Sequence, residues 1–149
     1  MSTLRYRRDT ATTEDVHAHL TRCDADFTPP LSARLDLGGY AAKLAERAAR
    51  FEAWDGGQLV GLVAAYVNPG APEAFISNVS VVSELRGHGV AAALVADCIA
   101  RARGSGAATL TLEVATADSV AARFYEKLGF TERDPEPADR PVTTLTLDL

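Results

Sequence analysis

The chain has 149 residues, of which 47% are hydrophobic and 23% are charged, and its net charge is −5. This composition is ordinary for a globular protein, and the length suits a single domain over residues 1–149. The negative charge argues against a general nucleic-acid-binding protein and slightly favours a cationic or amine-bearing small substrate. No apolar run is long enough to span a membrane, two cysteines do not make a disulfide scaffold, and the polar N-terminus does not resemble a secretory signal. We therefore expect a cytoplasmic protein.

Hydrophobic periodicity, capping residues and turn residues divide the chain into alternating strands and helices. The predicted elements are a strand over Leu4 to Arg8, a helix from a Thr12–Asp15 capping box to about Cys23, a loop over Asp24 to Leu37, a helix over Tyr40 to Arg50, a hairpin of Phe51 to Trp54 with Leu59 to Val67, a strand over Phe75 to Val82, a helix ending at Gly104-Ser105-Gly106, a strand over Thr109 to Val114, a helix from Asp118 to Gly129, a strand from Phe130, a polar loop over Pro135 to Pro141 and a strand over Val142 to Leu149. The long helix before Thr109 makes that strand parallel to the Phe75 strand.

The same periods predict which side chains share a face. His17 and His19 are two apart on a helix, so we expect them to point to different faces and into solvent. The two-residue period of the next long strand places four side chains on one face: Phe75, Ser77, Val79 and Val81. The helix after Asp118 is expected to bury an apolar stripe: Val120, Phe124 and Leu128.

The stretch from Phe75 to Arg103 joins an apolar strand to a long Ala-rich helix through Arg86-Gly87-His88-Gly89. Glycine lets the backbone approach a ligand closely, and the first N–H groups of a helix have no partner within it. Arg86 adds a positively charged fork that suits phosphate oxygens. The stretch therefore predicts a phosphate-binding loop.

Three phosphate-loop patterns compete for this stretch. A Walker loop requires a Gly-Lys-Ser/Thr ending that is absent here. A dinucleotide fingerprint requires a third glycine where Ala92 stands, and it requires a βαβ context rather than preceding antiparallel strands. The remaining pattern is Arg-x-x-Gly-x-Ala, spelled Arg86-Gly87-His88-Gly89-Val90-Ala91. It is similar to the acetyl-CoA pyrophosphate loop of the GNAT acetyltransferases.

Two further matches strengthen this resemblance. Val81 stands five residues before Arg86, as in the family's Val-x-x-x-x-Arg pattern, and LEVATADSVAARFYEKLGF resembles the family's second signature. The resemblance extends over nearly the whole chain. It implies an α/β fold with a mixed, mostly antiparallel sheet of six to seven strands, about four helices, and central strands that are splayed apart.

The resemblance also implies acetyl-CoA as co-substrate and no metal. The pantetheine arm is expected along the backbone of Val79 and Val81, with a bulge near Asn78 opening the strand. The pyrophosphate is expected on the N–H groups of five residues, with Arg86 bracing the loop: Gly87, His88, Gly89, Val90 and Ala91. Asp118 stands where the family usually has Asn; it can cap the helix, but its carboxylate cannot donate a hydrogen bond to the cofactor.

The family's chemistry requires a proton donor for the leaving thiolate and a base for the amine. Tyr125 matches the family's proton-donating tyrosine. Glu113 is the best candidate base, because a carboxylate within an apolar strand would be costly unless used or paired. A structural Glu113 is the alternative, and Ser77 is a candidate to hold a water that relays a proton. The Glu113 and Tyr125 spacing also resembles that of the protein-N-terminal alanine acetyltransferases within the family.

Family substrate pockets correspond here to Asp24 to Arg50 and to the acidic Thr131 to Pro141. Within the first segment, the candidate acceptor-binding residues are Phe27, Arg34 and Tyr40. The leading hypothesis is an acetyl-CoA-dependent N-acetyltransferase that modifies a primary amine of a small molecule, as a monomer or homodimer, with no nucleic-acid or membrane partner. The alternatives are an acetyltransferase for protein N-termini and a non-catalytic acyl-CoA-binding sensor.

Overall fold

The computed structural model describes residues 3–27, 29–133 and 141–149. Seven strands and four α-helices are described, joined in places by single 3-10 turns. In chain order they are β1 (Leu4–Arg8), α1 (Thr13–Cys23), α2 (Leu37–Arg47), β2 (Ala49–Asp55), β3 (Gln58–Tyr66), β4 (Glu73–Val81), α3 (Val90–Gly104), β5 (Thr109–Ala115), α4 (Ser119–Lys127), β6 (Thr131–Glu132) and β7 (Val142–Asp148). Among these residues, no helix is both long enough and apolar enough to cross a membrane.

The strands form one mixed sheet in the order β1-β2-β3-β4-β5-β7-β6. Among the described strands, only the β4–β5 pair is parallel, and α3 is its crossover helix; the other neighbours are antiparallel. The predicted mixed, mostly antiparallel α/β fold is therefore confirmed. Strand β7, the last in the chain, lies between β5 and β6 and pairs with both of them.

Both faces of the sheet are covered by hydrophobic clusters. One cluster joins the sheet to α3 and α4 and includes Leu94, Cys98 and Leu112. The other joins the opposite face to α1 and α2 and includes Leu20 and Leu44. We call these the α3 face and the α1 face of the sheet. Each central strand therefore buries side chains on both sides.

Helix α2 begins and ends three residues before its predicted bounds of Tyr40 to Arg50. The Asp36 carboxylate accepts from the N–H of Gly39 at 3.0 Å, so the helix starts at Leu37 and includes both glycines. The Arg50 guanidinium donates to the carbonyl oxygens of Ala45 and Ala48 at 2.8 and 2.9 Å, and Arg50 itself belongs to β2. The ends of this helix are therefore set by the side chains of Asp36 and Arg50, which are not part of its apolar stripe.

Helix α1 begins with the predicted capping box, in which Thr12 and Asp15 exchange hydrogen bonds. The prediction that His19 is solvated is wrong. His19 is 1% exposed, and its ring nitrogens contact the Leu59 carbonyl oxygen at 3.2 Å and Ser80 Oγ at 2.8 Å. Burial lowers the pKa of His19 from 6.5 to about 4, so the ring is neutral inside the protein.

Candidate functional site

The sheet opens between β4 and β5. These strands pair only from Glu73 with Thr109 to Phe75 with Thr111, although β4 continues to Val81 and β5 to Ala115. Beyond Phe75, β5 remains paired with β7 and β4 with β3, so the gap lies between two intact halves of the sheet. The edge of β4 that faces this gap presents backbone groups that β5 does not pair, as an added extended chain requires.

A bulge in β4 lies at the point where the gap opens. Asn78 is opposite Ala64 and Ile76 is opposite Ala65, which leaves Ser77 as the extra residue. Sequence analysis placed the bulge one residue later, at Asn78. A bulge of one residue changes the face to which the following side chains point.

The predicted common face of Phe75, Ser77, Val79 and Val81 is therefore wrong. Val79 and Val81 pack against the cluster on the α3 face. Ser77 instead contacts Tyr40 of α2, whose hydroxyl lies 2.6 Å from Ser77 Oγ and donates to the Ser77 carbonyl oxygen at 3.1 Å. The bulge brings Tyr40, a predicted acceptor-binding residue, together with Ser77, the predicted water-holding residue, on the α1 face.

The loop before α3 has the geometry of an anion cradle. Gly87 and Gly89 have φ of +81° and +79°, a backbone conformation that residues with a Cβ rarely adopt. The N–H groups of Gly87, Gly89, Val90 and Ala91 have no acceptor among the described residues, and no side chain caps α3. They can therefore donate to a phosphate at the positive end of the helix.

The other predicted loop residues differ in their availability. The His88 N–H donates to the Leu85 carbonyl oxygen at 3.3 Å, and the exposed His88 ring stays beside the loop, 3.1 Å from the Arg86 carbonyl oxygen. The Arg86 guanidinium forms an ion pair with Asp26 at 2.6 Å. Asp26 belongs to the turn that follows α1. A phosphate bound at this loop would compete with that carboxylate for Arg86.

Tyr125 lies on the α3 face and is buried, with its ring 4.9 Å from that of Phe124 and 5.7 Å from that of Phe130. Its hydroxyl forms no hydrogen bond with the described residues, but it is not fully enclosed. Burial, and then the charge of Asp118, raise the pKa of the Tyr125 phenol. The phenol is therefore protonated at neutral pH and can donate to a ligand that approaches it.

The predicted apolar stripe of α4 is confirmed at Phe124 and Leu128, which pack against the cluster on the α3 face, and is wrong at Val120. Val120 is 77% exposed, whereas Tyr125 is the buried residue of this helix, flanked by Ala121 and Phe124. The predicted cap is confirmed, because the Asp118 carboxylate accepts from the N–H of Ala121 at 3.0 Å.

Glu113 is exposed, so the expectation that it is a carboxylate enclosed by an apolar strand is wrong. Leu110, Leu112 and Val114 of β5 pack into the cluster on the α3 face, so Glu113 points to the α1 face, the side of Ser77. Among the described residues it makes no hydrogen bond or salt bridge, which leaves its carboxylate available to a ligand.

The remaining acceptor candidates are dispersed. Phe27 is half-buried and packs against both clusters, whereas Arg34 is exposed. Residues 134–140, which form most of the predicted acidic loop, lie outside the described residues. Sequence analysis missed Lys43 and Tyr66, which line an open cavity beside Tyr40 with Arg47 and Asn68. The spacing of Tyr40, Lys43 and Arg47 on one face of α2 was the available signal.

Comparison with known proteins identifies the family. A model of the acetyltransferase (GNAT) family matches residues 13–130, which is most of the chain, so the chain belongs to this family. GNAT enzymes use acetyl-CoA and act on an acceptor substrate. None of the curated proteins matches the chain significantly in sequence.

Solved structures share the fold at low sequence identity. The Escherichia coli ribosomal-protein-S18-alanine N-acetyltransferase has 24% identity and a TM-score of 0.73 over 99% of this chain and 94% of its own. A Bacillus cereus IAA acetyltransferase has 18% identity and a TM-score of 0.72 over 99% of this chain and 100% of its own. A Bacillus anthracis protein assigned as a streptothricin acetyltransferase, solved in complex with acetyl coenzyme A, has 20% identity and a TM-score of 0.59 over 69% and 63%. At such identities these likenesses establish the fold alone.

Proposed function

We propose that this protein is an acetyl-CoA-dependent N-acetyltransferase that acts on a primary amine of a small molecule in a ternary complex. The observation that carries the proposal is the gap between β4 and β5, which opens at the Ser77 bulge. The anion cradle follows the open end of β4, and Tyr125 lies on the α3 face. The α1 face offers a separate approach, past Tyr40 and Glu113. Two reactants can thus approach from different sides.

The residues present fit acetyl-CoA. The pyrophosphate suits the N–H groups of Gly87, Gly89, Val90 and Ala91, which have no acceptor among the described residues. The pantetheine amides suit the unpaired edge of β4 at Val79 and Val81, so that the arm extends the sheet. Asp118 is occupied as the cap of α4. When bound, acetyl-CoA supplies a thioester whose carbonyl carbon an amine can attack.

The chain's own residues handle the protons of this reaction. A primary alkylamine has a pKa of about 10.4 and must lose a proton before it attacks. The exposed Glu113 carboxylate accepts that proton directly or through water held at Ser77. As the C–N bond forms and the C–S bond breaks, the Tyr125 phenol donates its proton to the departing sulfur, and the second proton that the nitrogen then loses restores the phenol through water. These roles assign the acid to the α3 face of the sheet and the base to the α1 face.

Replacement of Tyr125 by Phe tests the proton donor. We expect kcat to fall by about a hundredfold or more, because a positioned proton donor typically accelerates a reaction by that much. The Kd for CoA should change less than about threefold, because the phenol acts in the transition state. The matched control is Tyr6→Phe, because Tyr6 is 52% exposed and far along the sheet on β1. An unchanged kcat in Y125F would remove Tyr125 from the mechanism.

The Arg86–Asp26 ion pair allows a second test, in which opposite results are expected from the two partners. Arg86→Gln should weaken CoA binding about tenfold through loss of a charge-assisted hydrogen bond to phosphate. Asp26→Asn should leave CoA binding unchanged or strengthen it severalfold, because Arg86 is released and a negative charge is removed. Calorimetric titration with CoA measures both. Equal weakening by both variants would contradict a phosphate-binding role for Arg86.

A protein N-terminus is the second candidate acceptor. The exposed Glu113 favours it, because a carboxylate open to the α1 face can be reached by the end of a peptide. The likeness to the S18-alanine enzyme is consistent with it. CoA release across a panel of small amines and of peptides separates the two candidates. Tight binding of acetyl-CoA without turnover of any acceptor would instead indicate a non-catalytic acyl-CoA sensor.

A further inference from the structure

One face of α2 carries three polar residues that extend away from the bulge. Tyr40, Lys43 and Arg47 lie at helical spacing and share this face. The Tyr40 hydroxyl contacts Ser77 at the bulge. The Lys43 ammonium lies 5.6 Å from the centre of the Tyr66 ring, within the range of a cation–π contact. The face therefore runs from the opening of the gap along Tyr66.

An open cavity of about 520 Å³ lies along this face, lined by Lys43, Arg47, Tyr66 and Asn68. Tyr66 of β3 is opposite Phe75, the last residue of β4 that pairs with β5. Phe75 is two residues from Ser77, which is roughly 7 Å along a strand. The cavity thus adjoins the closed end of the gap, on the side from which the acceptor is proposed to approach.

The charges of this cavity are unbalanced. Within the described part of the chain, neither Lys43 nor Arg47 forms an ion pair, and Glu46 of the same helix is not within salt-bridge distance of either. The Tyr66 hydroxyl is enclosed and has no hydrogen-bond partner among the described residues. An open cavity bordered by two exposed cations that lack ion-pair partners attracts anions, although the chain as a whole has a net charge of −5.

We propose that the acceptor is a small primary amine that also carries an anionic group, a carboxylate or a phosphate, and that Lys43 and Arg47 bind this group. This inference rests on the proposed function and names the class of acceptor for the same site. The amine then lies toward Ser77 and the anion toward Arg47, with Tyr66 holding the Lys43 ammonium in place. It keeps the amine of the cationic or amine-bearing substrate that the net charge of the sequence favoured and adds an anionic group to it.

Pairs of acceptors that differ only in the anion test the proposal. One series is ω-amino acids from glycine to 6-aminohexanoate against their amides, and the other is phosphoethanolamine against ethanolamine; the two series distinguish a carboxylate from a phosphate. At least one acid should exceed its neutral partner by about tenfold or more in kcat/KM, the worth of a hydrogen bond to a charged group. Equal rates within every pair, or turnover of neutral amines or peptides alone, would overturn the proposal.

Variants then locate the anion site. Lys43→Gln and Arg47→Gln should each remove most of the preference through KM, while rates with the neutral partners and the Kd for CoA change less than twofold. The matched control is Arg103→Gln, which removes the same charge from an exposed position near the end of α3. A preference that survives in the double variant K43Q/R47Q would place the anion elsewhere and overturn the assignment.

Failure of the proposed function has a different signature. If no amine is turned over although CoA binds, the transferase proposal fails, and the anion site is judged by binding alone. Calorimetric titration of CoA-saturated protein with the N-acetylated ω-amino acids should show saturable binding that the double variant loses. Absence of such binding, or equal binding in the double variant, would overturn the anion site.

Discussion

Protonation of the buried His19 should make this protein lose stability in mildly acidic solution. The pKa of His19 is lowered from 6.5 to about 4, mainly by burial. Above pH 6.5 the ring is neutral in both the folded and the unfolded states, so it contributes no pH dependence. Between pH 6.5 and 4 only the unfolded chain gains the proton, and the free energy of unfolding falls by about 1.4 kcal/mol per pH unit.

The full effect is about 3 kcal/mol at pH 4, a large fraction of the stability of a typical domain. The ring is 1% exposed and packs against Leu59, Ser80 and Cys23, so its charged form loses the hydration that it has in the unfolded chain.

Urea unfolding from pH 4.5 to 7.5, followed through the fluorescence of the single, buried Trp54, measures this effect. His19→Gln should be less stable than the wild type at pH 7.5, because the amide fits the histidine's contacts imperfectly, but its stability should depend less on pH. At pH 4.5 the difference between the two proteins should shift in favour of the variant by about 2 to 3 kcal/mol. Carboxylates shared by both proteins cancel in this difference.

The matched control is His17→Gln, two residues away on the exposed face of α1. It should reproduce the wild-type dependence on pH. A difference between wild type and H19Q that stays constant across the range would refute the reasoning, since it would mean that His19 does not change its proton affinity on folding.

Two further substitutions probe the packing around the site. Gly61→Ala should lower the free energy of unfolding by about 1 to 3 kcal/mol and weaken CoA binding, because its new methyl would lie 3.0 Å from the side chain of Val90, the first residue of α3. Gly57→Ala is the control, because no atom lies within 4 Å of its added methyl. Equal urea midpoints for the two variants would contradict this prediction. Glu52→Gln should lower the free energy of unfolding by about 3 to 5 kcal/mol, because the buried carboxylate accepts from Trp54 Nε1 and from two backbone N–H groups. Replacement of the exposed Glu46 by Gln is the control and should change that free energy by no more than about 0.5 kcal/mol. A similarly small change in E52Q would refute the role of the buried charge.

The anion cradle was predictable because its determinants are local. Gly87 and Gly89 adopt positive φ within a segment of a few residues, and the free N–H groups follow from the start of α3. The same holds for the caps at Thr12 and Asp118, which act on N–H groups three residues away. Such interactions can be recognised in a sequence because both partners lie within one turn of helix.

The faces of β4 and α1 were not predictable in the same way. The extra residue at Ser77 is defined by its pairing with β3, so alternation counted along β4 alone assigned Val79 and Ser77 to one face. His19 shares helical spacing with Val16 and Leu20, but its burial depends on acceptors supplied by β3 and by Ser80 of β4. A polar residue on an apolar stripe is buried only where distant partners satisfy it.

The sequence by itself determined the glycine-rich loop before α3, the order of strands and helices, and membership of a family of acetyltransferases, because these depend on short motifs and on periodicity. Only the tertiary structure decided which residues lie together around the gap between β4 and β5. The Tyr40–Ser77 contact, the Arg86–Asp26 ion pair and the Lys43–Tyr66 contact each join residues at least 20 positions apart. Their positions depend on how α2 and the turn after α1 pack against the sheet, and no local pattern encodes that packing.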